Sequence, residues 1–335
     1  MNRPAFSRIS DLAPTSKRVA WRWGVGLWAL TAALSASAFD LQGHRGARGL
    51  APENTLPGWQ KALAIGVDTI ECDMGITSDG IVVVHHDLWL NPNITRDARG
   101  QWLQARGPAI KDLSFEQLQT YDVGRIKPGS GYARSFPDQQ AVDGTRIPRL
   151  SDLFDLLKRP EHQKVQIDCE TKLNPMEPSA TLAPREFALR VIAEIRRHGM
   201  ADRTTVQSFD WRTLQVIQQE APEIRTLYLS SPTTLKRQAD GQASAWLAGF
   251  DPEKLGGSVP QAVKAAGGKF WAPNQTFLTP ALVAEAHALN LKVIPWTVND
   301  PKMITKLLDM GVDGIISDYP ERVKAQRSAQ QDPKK

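Results

Sequence analysis

Two cysteines, Cys72 and Cys169, are all that 335 residues contain, which excludes a disulfide framework by count. Each lies between acidic residues, in Glu71-Cys72-Asp73 and Asp168-Cys169-Glu170. Alternation along a strand turns both side chains away from those acids and into apolar packing, so two buried free thiols are expected. The chain also has no H-E-x-x-H and no Cys/His ligand set, which removes the usual zinc sites. No glycine-rich dinucleotide fingerprint follows the first β-branched run, which counts against an open doubly wound sheet. Beyond residue 38 there are no runs of basic residues, and nucleic acid is not an expected partner.

Residues 1–38 differ from the rest. Arg3, Arg8, Lys17, Arg18 and Arg22 precede a charge-free run from Trp23 to Ala38 that ends in Ala36-Ser37-Ala38. Its 16 residues fall short of the roughly 20 that span hydrocarbon, and an A-x-A site stands where a peptidase needs it. The segment therefore reads as a cleavable signal peptide for a periplasmic or secreted protein with no stable membrane anchor after cleavage. Removing five basic residues and one acidic residue lowers the formal charge from +5 to +1, so the basic balance belongs partly to the leader. The remainder is of ordinary globular composition, 41% hydrophobic and 23% charged over the whole chain.

Eight short β-branched runs recur: 41–45, 69–74, 165–170, 204–209, 225–229, 269–272, 292–297 and 314–317. Apolar spacing of three and four marks helices at 58–65, 187–198, 280–289 and 301–310. The pattern predicts a (β/α)8 TIM barrel over 39–325, with a polar tail at 326–335. A ninth run, 81–86, follows 69–74 too closely for a parallel crossover and must pair as a hairpin. Asp79-Gly80 suits a two-residue turn, and pairing Ser78 with Ile81 sets Asp73 across from His86. Residues 88–160, rich in Pro, Gly, Asn and Asp, form an insertion before the third barrel strand, with short helices near 114–121 and 151–158.

Barrel enzymes carry their chemistry at the C-terminal ends of the strands. Polar residues at those ends are His44, Arg45, Glu71, Asp73, His86, Glu170, Lys172, Gln207, Ser208, Trp296, Asn299 and Asp318. Glu71, Asp73 and Glu170 would repel one another unless a cation neutralised them, and oxygen-only ligands favour Ca²⁺ or Mg²⁺. Two histidines with ordinary pKa values near ~6.5 make a general acid and base pair. Arg45 and Lys172 add positive charge suited to phosphoryl oxygens, so the set points to phosphoryl transfer. Strand-end capping competes as an explanation for Gln207, Ser208, Asn299 and Asp318, and Trp296 is either core or a stacking surface. His85, His162, His198 and His287 read as packing or surface residues.

His44-Arg45-Gly46, Ala51-Pro52-Glu53-Asn54-Thr55, Glu71-x-Asp73, Thr77-x-Asp79-Gly80 and His86-Asp87 occur in order. Glu170-x-Lys172, Gln207-Ser208-Phe209, Trp296-Thr297-Val298-Asn299 and Gly314-Ile315-Ile316-Ser317-Asp318 follow. This series resembles the glycerophosphodiester phosphodiesterase family over essentially all of the chain after the leader. The resemblance implies metal-dependent hydrolysis of small glycerophosphodiesters, such as glycerophosphocholine or glycerophosphoethanolamine, to sn-glycerol 3-phosphate and an alcohol. It assigns acid and base to His44 and His86, the metal to Glu71, Asp73 and Glu170, and phosphate contacts to Arg45 and Lys172. Glu53 and Asn54 brace the first loop. The segment 88–96 departs from the family's usual compact turn, and Ser317 stands where threonine is common. Two other readings share the same barrel: a phospholipase D-like cleavage of lipid head groups, and a catalytically inactive periplasmic binding protein.

Overall fold

The computed structural model describes residues 39–331. The leader expected at 1–38 lies outside the described residues, as does the end of the tail from 332; residues 326–331 of that tail complete an α-helix, Pro320–Gln331.

Eight parallel strands form the barrel: β1 (Asp40–Gly43), β2 (Thr69–Ile76), β4 (Gln166–Thr171), β5 (Thr204–Ser208), β6 (Arg225–Ser230), β7 (Phe270–Pro273), β8 (Lys292–Val293) and β9 (Gly314–Ser317). β1 lies between β9 and β2, and the sheet continues through β4, β5, β6 and β7 to β8. The circle closes where the Asp313 and Ile316 amides donate to the Val293 and Pro295 carbonyls and the Val298 amide donates to Ile316. β8 ends at Val293 rather than near 297 because Pro273 of β7, lacking an N–H, cannot donate to the Ile294 carbonyl; the pairing resumes at Trp296, whose amide donates to the Pro273 carbonyl.

Strands buried on both faces explain why acidic residues interleave with apolar ones in β2 and β4. Ile70, Cys72 and Met74, with Ile167 and Cys169, pack into the main core that also takes in Trp59, Phe187, Val191 and Trp211. The alternate positions point into the barrel. Parallel register sets Glu71 beside Asp168, Cys72 beside Cys169, and Asp73 beside Glu170. The two thiols are buried and free, with Sγ atoms 3.4 Å apart. Across the barrel the interior is apolar: Leu227, Leu229, Ala272, Ile294 and Ile316 cluster there.

Two further features differ from the sequence expectation. The hairpin β3 (Val82–Val84) pairs Met74 with Val84 and Ile76 with Val82, one residue out of the expected register. Thr77 and Ile81 close a three-residue loop, Ser78 to Gly80, whose last residue has φ +79°. Glycine takes that left-handed conformation without strain, and three-residue hairpins ending in it are common. The residue across from Asp73 is therefore His85, whose amide donates to the Asp73 carbonyl. The second difference concerns the insertion. Helix Leu150–Leu157 buries Leu150, Leu153, Phe154, Leu156 and Leu157 in the main core, so it is the barrel helix that precedes β4. Burial of about 1.5–3 kcal/mol for each large side chain ties it there. The excursion is thus 88–149, with a small core of its own around Val83, Leu90, Ile110, Leu118, Val123 and Ile147.

Candidate active site

The barrel's C-terminal mouth gathers the polar strand ends around a cavity of about 180 Å³ lined by His44, Arg45, Arg48, Glu71, His86, Glu170, Lys172, Gln207, Phe209 and Trp296, among others. A wider recess of about 480 Å³ adjoins it, sharing His86, Glu170, Lys172 and Phe209. Its outer wall comes from Leu88–Pro92 and Arg106 of the insertion, with Leu173 and Trp246.

Glu71, Asp73 and Glu170 are buried, and each offers a carboxylate oxygen within 4.8 Å of the others. Glu71 accepts from the Arg45 amide (2.8 Å) and from Gln207 Nε2 (2.8 Å). Asp73 Oδ2 accepts from Asn54 Nδ2 at 2.8 Å, while the Asp73 amide donates to Asn54 Oδ1 at 3.2 Å. Glu170 accepts from Lys172 Nζ at 2.7 Å. Asp73 Oδ1 is buried without a hydrogen-bond partner. A buried carboxylate oxygen facing two further carboxylates fits a hard divalent cation, so the trio can hold one.

Charge is unevenly shared within the trio. Burial and the neighbouring Asp73 push Glu71 well up, and burial moves Glu170 up to about 7 against the pull of Lys172. Asp73 goes the other way, held well below the usual carboxylate range, despite burial, by Arg45, His86 and Lys172. Arg45 Nε lies 3.2 Å from Asp73 and its Nη1 donates to Glu53 at 2.8 Å. The guanidinium expected to grip phosphate is therefore already engaged by two carboxylates. Lys172 Nζ, 3.5 Å from Asp73, stands 6.0 Å from the centre of the Phe209 ring at the junction of the two cavities.

Each histidine is backed by its own aspartate. His44 Nδ1 lies 2.6 Å from Asp318 Oδ1, and His86 Nδ1 lies 2.7 Å from Asp87 Oδ1. A carboxylate there fixes the proton on Nδ1 and leaves the Nε2 lone pair for chemistry. His44 Nε2 is 3.9 Å from Glu71. Burial lowers the His44 pKa to about 4, with Asp318 opposing and Arg48 assisting; burial, Arg45 and Lys172 lower that of His86. Both rings are neutral near pH 7, unlike the unperturbed pair expected. His86 reaches the mouth although the hairpin register is shifted, because β3 ends at Val84 and strand alternation no longer governs residues 85 and 86. His85 turns to a separate pocket with Gly75, Ile110 and Phe187.

The remaining expected residues brace this frame. Asn299 Nδ2 donates to Asp318 at 2.7 Å, and its Oδ1 accepts from the Asp318 amide. Trp296 donates to the Ala272 carbonyl and meets Phe209 edge to face at 5.2 Å, so it is both wall and packing. Ser208 is bonded to Thr171 and stands apart from the carboxylates. Sequence reasoning missed Arg48, whose Nε and Nη2 donate to the two oxygens of Asp318 (2.8 and 3.1 Å), and Tyr132, whose hydroxyl donates to Glu53. Arg48 stands one turn beyond Arg45 in the H-R-G loop, a signal that was available. Nothing in the polar stretch around Tyr132 marks it.

The family model for the glycerophosphoryl diester phosphodiesterase family matches residues 44–322. A Bacillus subtilis (strain 168) protein provisionally named glycerophosphodiester phosphodiesterase YhdW is 30% identical over 279 residues, 83% of this chain and 93% of that protein. The glycerophosphodiester phosphodiesterase of Caldanaerobacter subterraneus subsp. tengcongensis is 26% identical over 278 residues, 83% of this chain and 93% of that protein. A crystal structure from Silicibacter pomeroyi DSS-3, provisionally named a glycerophosphoryl diester phosphodiesterase, superposes with a TM-score of 0.78 at 38% identity, covering 88% of this chain and 95% of that one.

Proposed function

The chain belongs to the glycerophosphoryl diester phosphodiesterase family, and from that premise we propose that it hydrolyses small glycerophosphodiesters, among them glycerophosphocholine and glycerophosphoethanolamine, to sn-glycerol 3-phosphate and an alcohol. The observation that carries this reading is the pairing of two aspartate-backed histidines with a buried carboxylate trio around one cavity. Glu71, Asp73 and Glu170 hold a divalent cation, Ca²⁺ or Mg²⁺, which when bound supplies positive charge to the phosphoryl oxygens.

His44 lines the inner cavity and not the wide recess, whereas His86 lines both. This division supports His44 as the base and His86 as the acid. In that scheme His44 Nε2 takes the proton of the attacking hydroxyl, either from water, which gives glycerol 3-phosphate directly, or from the substrate's own glycerol, which gives a cyclic phosphate that water then opens. His86 Nε2 gives a proton to the departing alcohol, which leaves into the recess between Phe209, Trp246 and Leu88–Pro92. Asp87 and the negative phosphodiester both favour a protonated His86 when substrate is bound. Lys172, poised between the cavities, balances the charge of the reacting phosphoryl group, and Arg45 keeps Asp73 ionised. Export as a periplasmic or secreted enzyme follows from residues 1–38 and is checked by N-terminal sequencing of the processed chain, expected to begin at Phe39.

Release of the free alcohol from a panel of glycerophosphodiesters, with glycerol 3-phosphate measured as their second product and diacyl phosphatidylcholine alongside, tests the reading. Turnover of the water-soluble diesters is expected to vanish on chelation and return with Ca²⁺ or Mg²⁺. Activity that persists after exhaustive chelation removes the metal, and turnover of the diacyl lipid alone transfers the site to lipid head-group cleavage.

A further inference from the structure

One group in the site comes from the far side of the insertion. Tyr132, on the short helix Gly131–Ser135, donates its hydroxyl to Glu53 Oε2 and accepts from Arg48 Nη1 at 3.3 Å. Its ring meets Phe136 edge to face at 5.0 Å, and the Arg48 guanidinium stacks over that same Phe136 at 4.5 Å. From this hydroxyl two chains of contacts diverge. One runs through Arg48 to Asp318 and on to His44 Nδ1. The other runs through Glu53 to Arg45 Nη1, whose Nε pairs with Asp73. The hydroxyl is where the histidine arm and the carboxylate arm join.

Neither arm needs the phenol for charge balance. Arg48 already has the Asp318 carboxylate, and Glu53 already has the Arg45 guanidinium. What the hydroxyl adds is direction, because two long side chains with many rotamers are pinned to one rigid point. We propose that Tyr132 is a positioning residue that fixes His44 relative to Asp73, so that the insertion sets the geometry of the barrel mouth instead of merely bordering it. The proposal rests on the hydrolytic reading above.

Tyr132→Phe removes the hydroxyl while keeping the ring against Phe136. The expected result is a fall in kcat of about tenfold with KM within about twofold and an unchanged unfolding temperature, because misplacement of reacting groups lowers the rate more than the binding. The hydrogen-bonded Nδ1 proton of His44, read by NMR, is expected to shift or broaden. Combining Tyr132→Phe with Glu53→Gln should cost no more than the worse single change, since both break the same path. A parent-like kcat, losses that multiply in the double variant, or an unmoved His44 Nδ1 signal each overturn the proposal. If the hydrolytic reading itself fails, the parent shows no turnover on any diester, and the His44 signal still decides whether Tyr132 reaches that ring.

Discussion

At the C-terminal mouth of the barrel, Glu71, Asp73 and Glu170 converge within 4.8 Å, with Arg45 and Lys172 at ion-pair distance from Asp73. At the N-terminal mouth a cavity of about 250 Å³ is lined by Asp40, Gln42, Thr69, Gln166 and Arg225, among others; Asp40 is half-buried there and Asp168 is fully buried. Asp40 accepts from Thr69 and Gln42, whereas neither oxygen of Asp168 has a partner. Burial pushes both of these carboxyls up, and Arg225 pulls each down too weakly to offset it. The two ends are built from the same strands one step apart, for β2 and β4 pair Glu71 with Asp168 and Asp73 with Glu170. Acidic residues inside a barrel therefore do not by themselves make a site. Asp73, met by a guanidinium and an ammonium group, is the carboxylate held ionised, whereas burial lifts Asp40 and Asp168 and, within the upper trio itself, Glu71 and Glu170.

The sharpest way to break this contrast is at the upper end. Replacing either His44 or His86 with alanine is expected to lower kcat by roughly 10²-fold or more with folding intact. Parent-like turnover in both variants, measured beside their melting curves, would remove the histidines from the chemistry. A smaller effect is expected from Asn54→Ala. Asn54 grips Asp73 through both its amide and its carboxylate and does so with φ +54°, a left-handed backbone that asparagine tolerates better than alanine. Divalent-cation affinity should fall by about 10- to 100-fold in titration calorimetry, as it does when groups that orient metal ligands are lost. Equal affinity in the variant would mean that Asp73 is placed by its strand alone.

What the sequence made legible follows the same division. The eight strands could be read because parallel strands are buried on both faces and repeat as β-branched runs. Glu71, Asp73 and Glu170 could be read because strand ends in a barrel share one mouth. The hairpin register could not be read, since Asp79-Gly80 suits a two-residue turn and a three-residue loop equally well, and the choice moved His85 into the place expected for His86. Helix Leu150–Leu157 was assigned to the insertion because its neighbours are polar; its burial in the main core is a tertiary fact. Arg48 meets Asp318 from 270 residues away and Tyr132 meets Glu53 from 79, distances over which no local pattern speaks.

The smallest expected effect lies at the lower mouth. Asp168 titrates above its ordinary range in the folded chain because burial, and then Asp40, disfavour its ionised form. A carboxyl raised in this way favours the fold fully below the unfolded carboxyl range, near ~3.9, and that contribution is lost as pH rises toward the folded value. Between the unfolded and the folded value the native chain holds a proton on Asp168 that the unfolded chain releases. Asp168→Asn keeps the shape and removes this requirement, while the unpartnered oxygens of Asp168 leave few bonds to lose. The variant should be more stable by about 1 kcal/mol at pH 8, with the gain shrinking toward zero near pH 4. Urea unfolding at the two pH values measures it. A loss of stability equal at both would show that Asp168 is ionised and paired, and the two mouths would then differ in geometry alone.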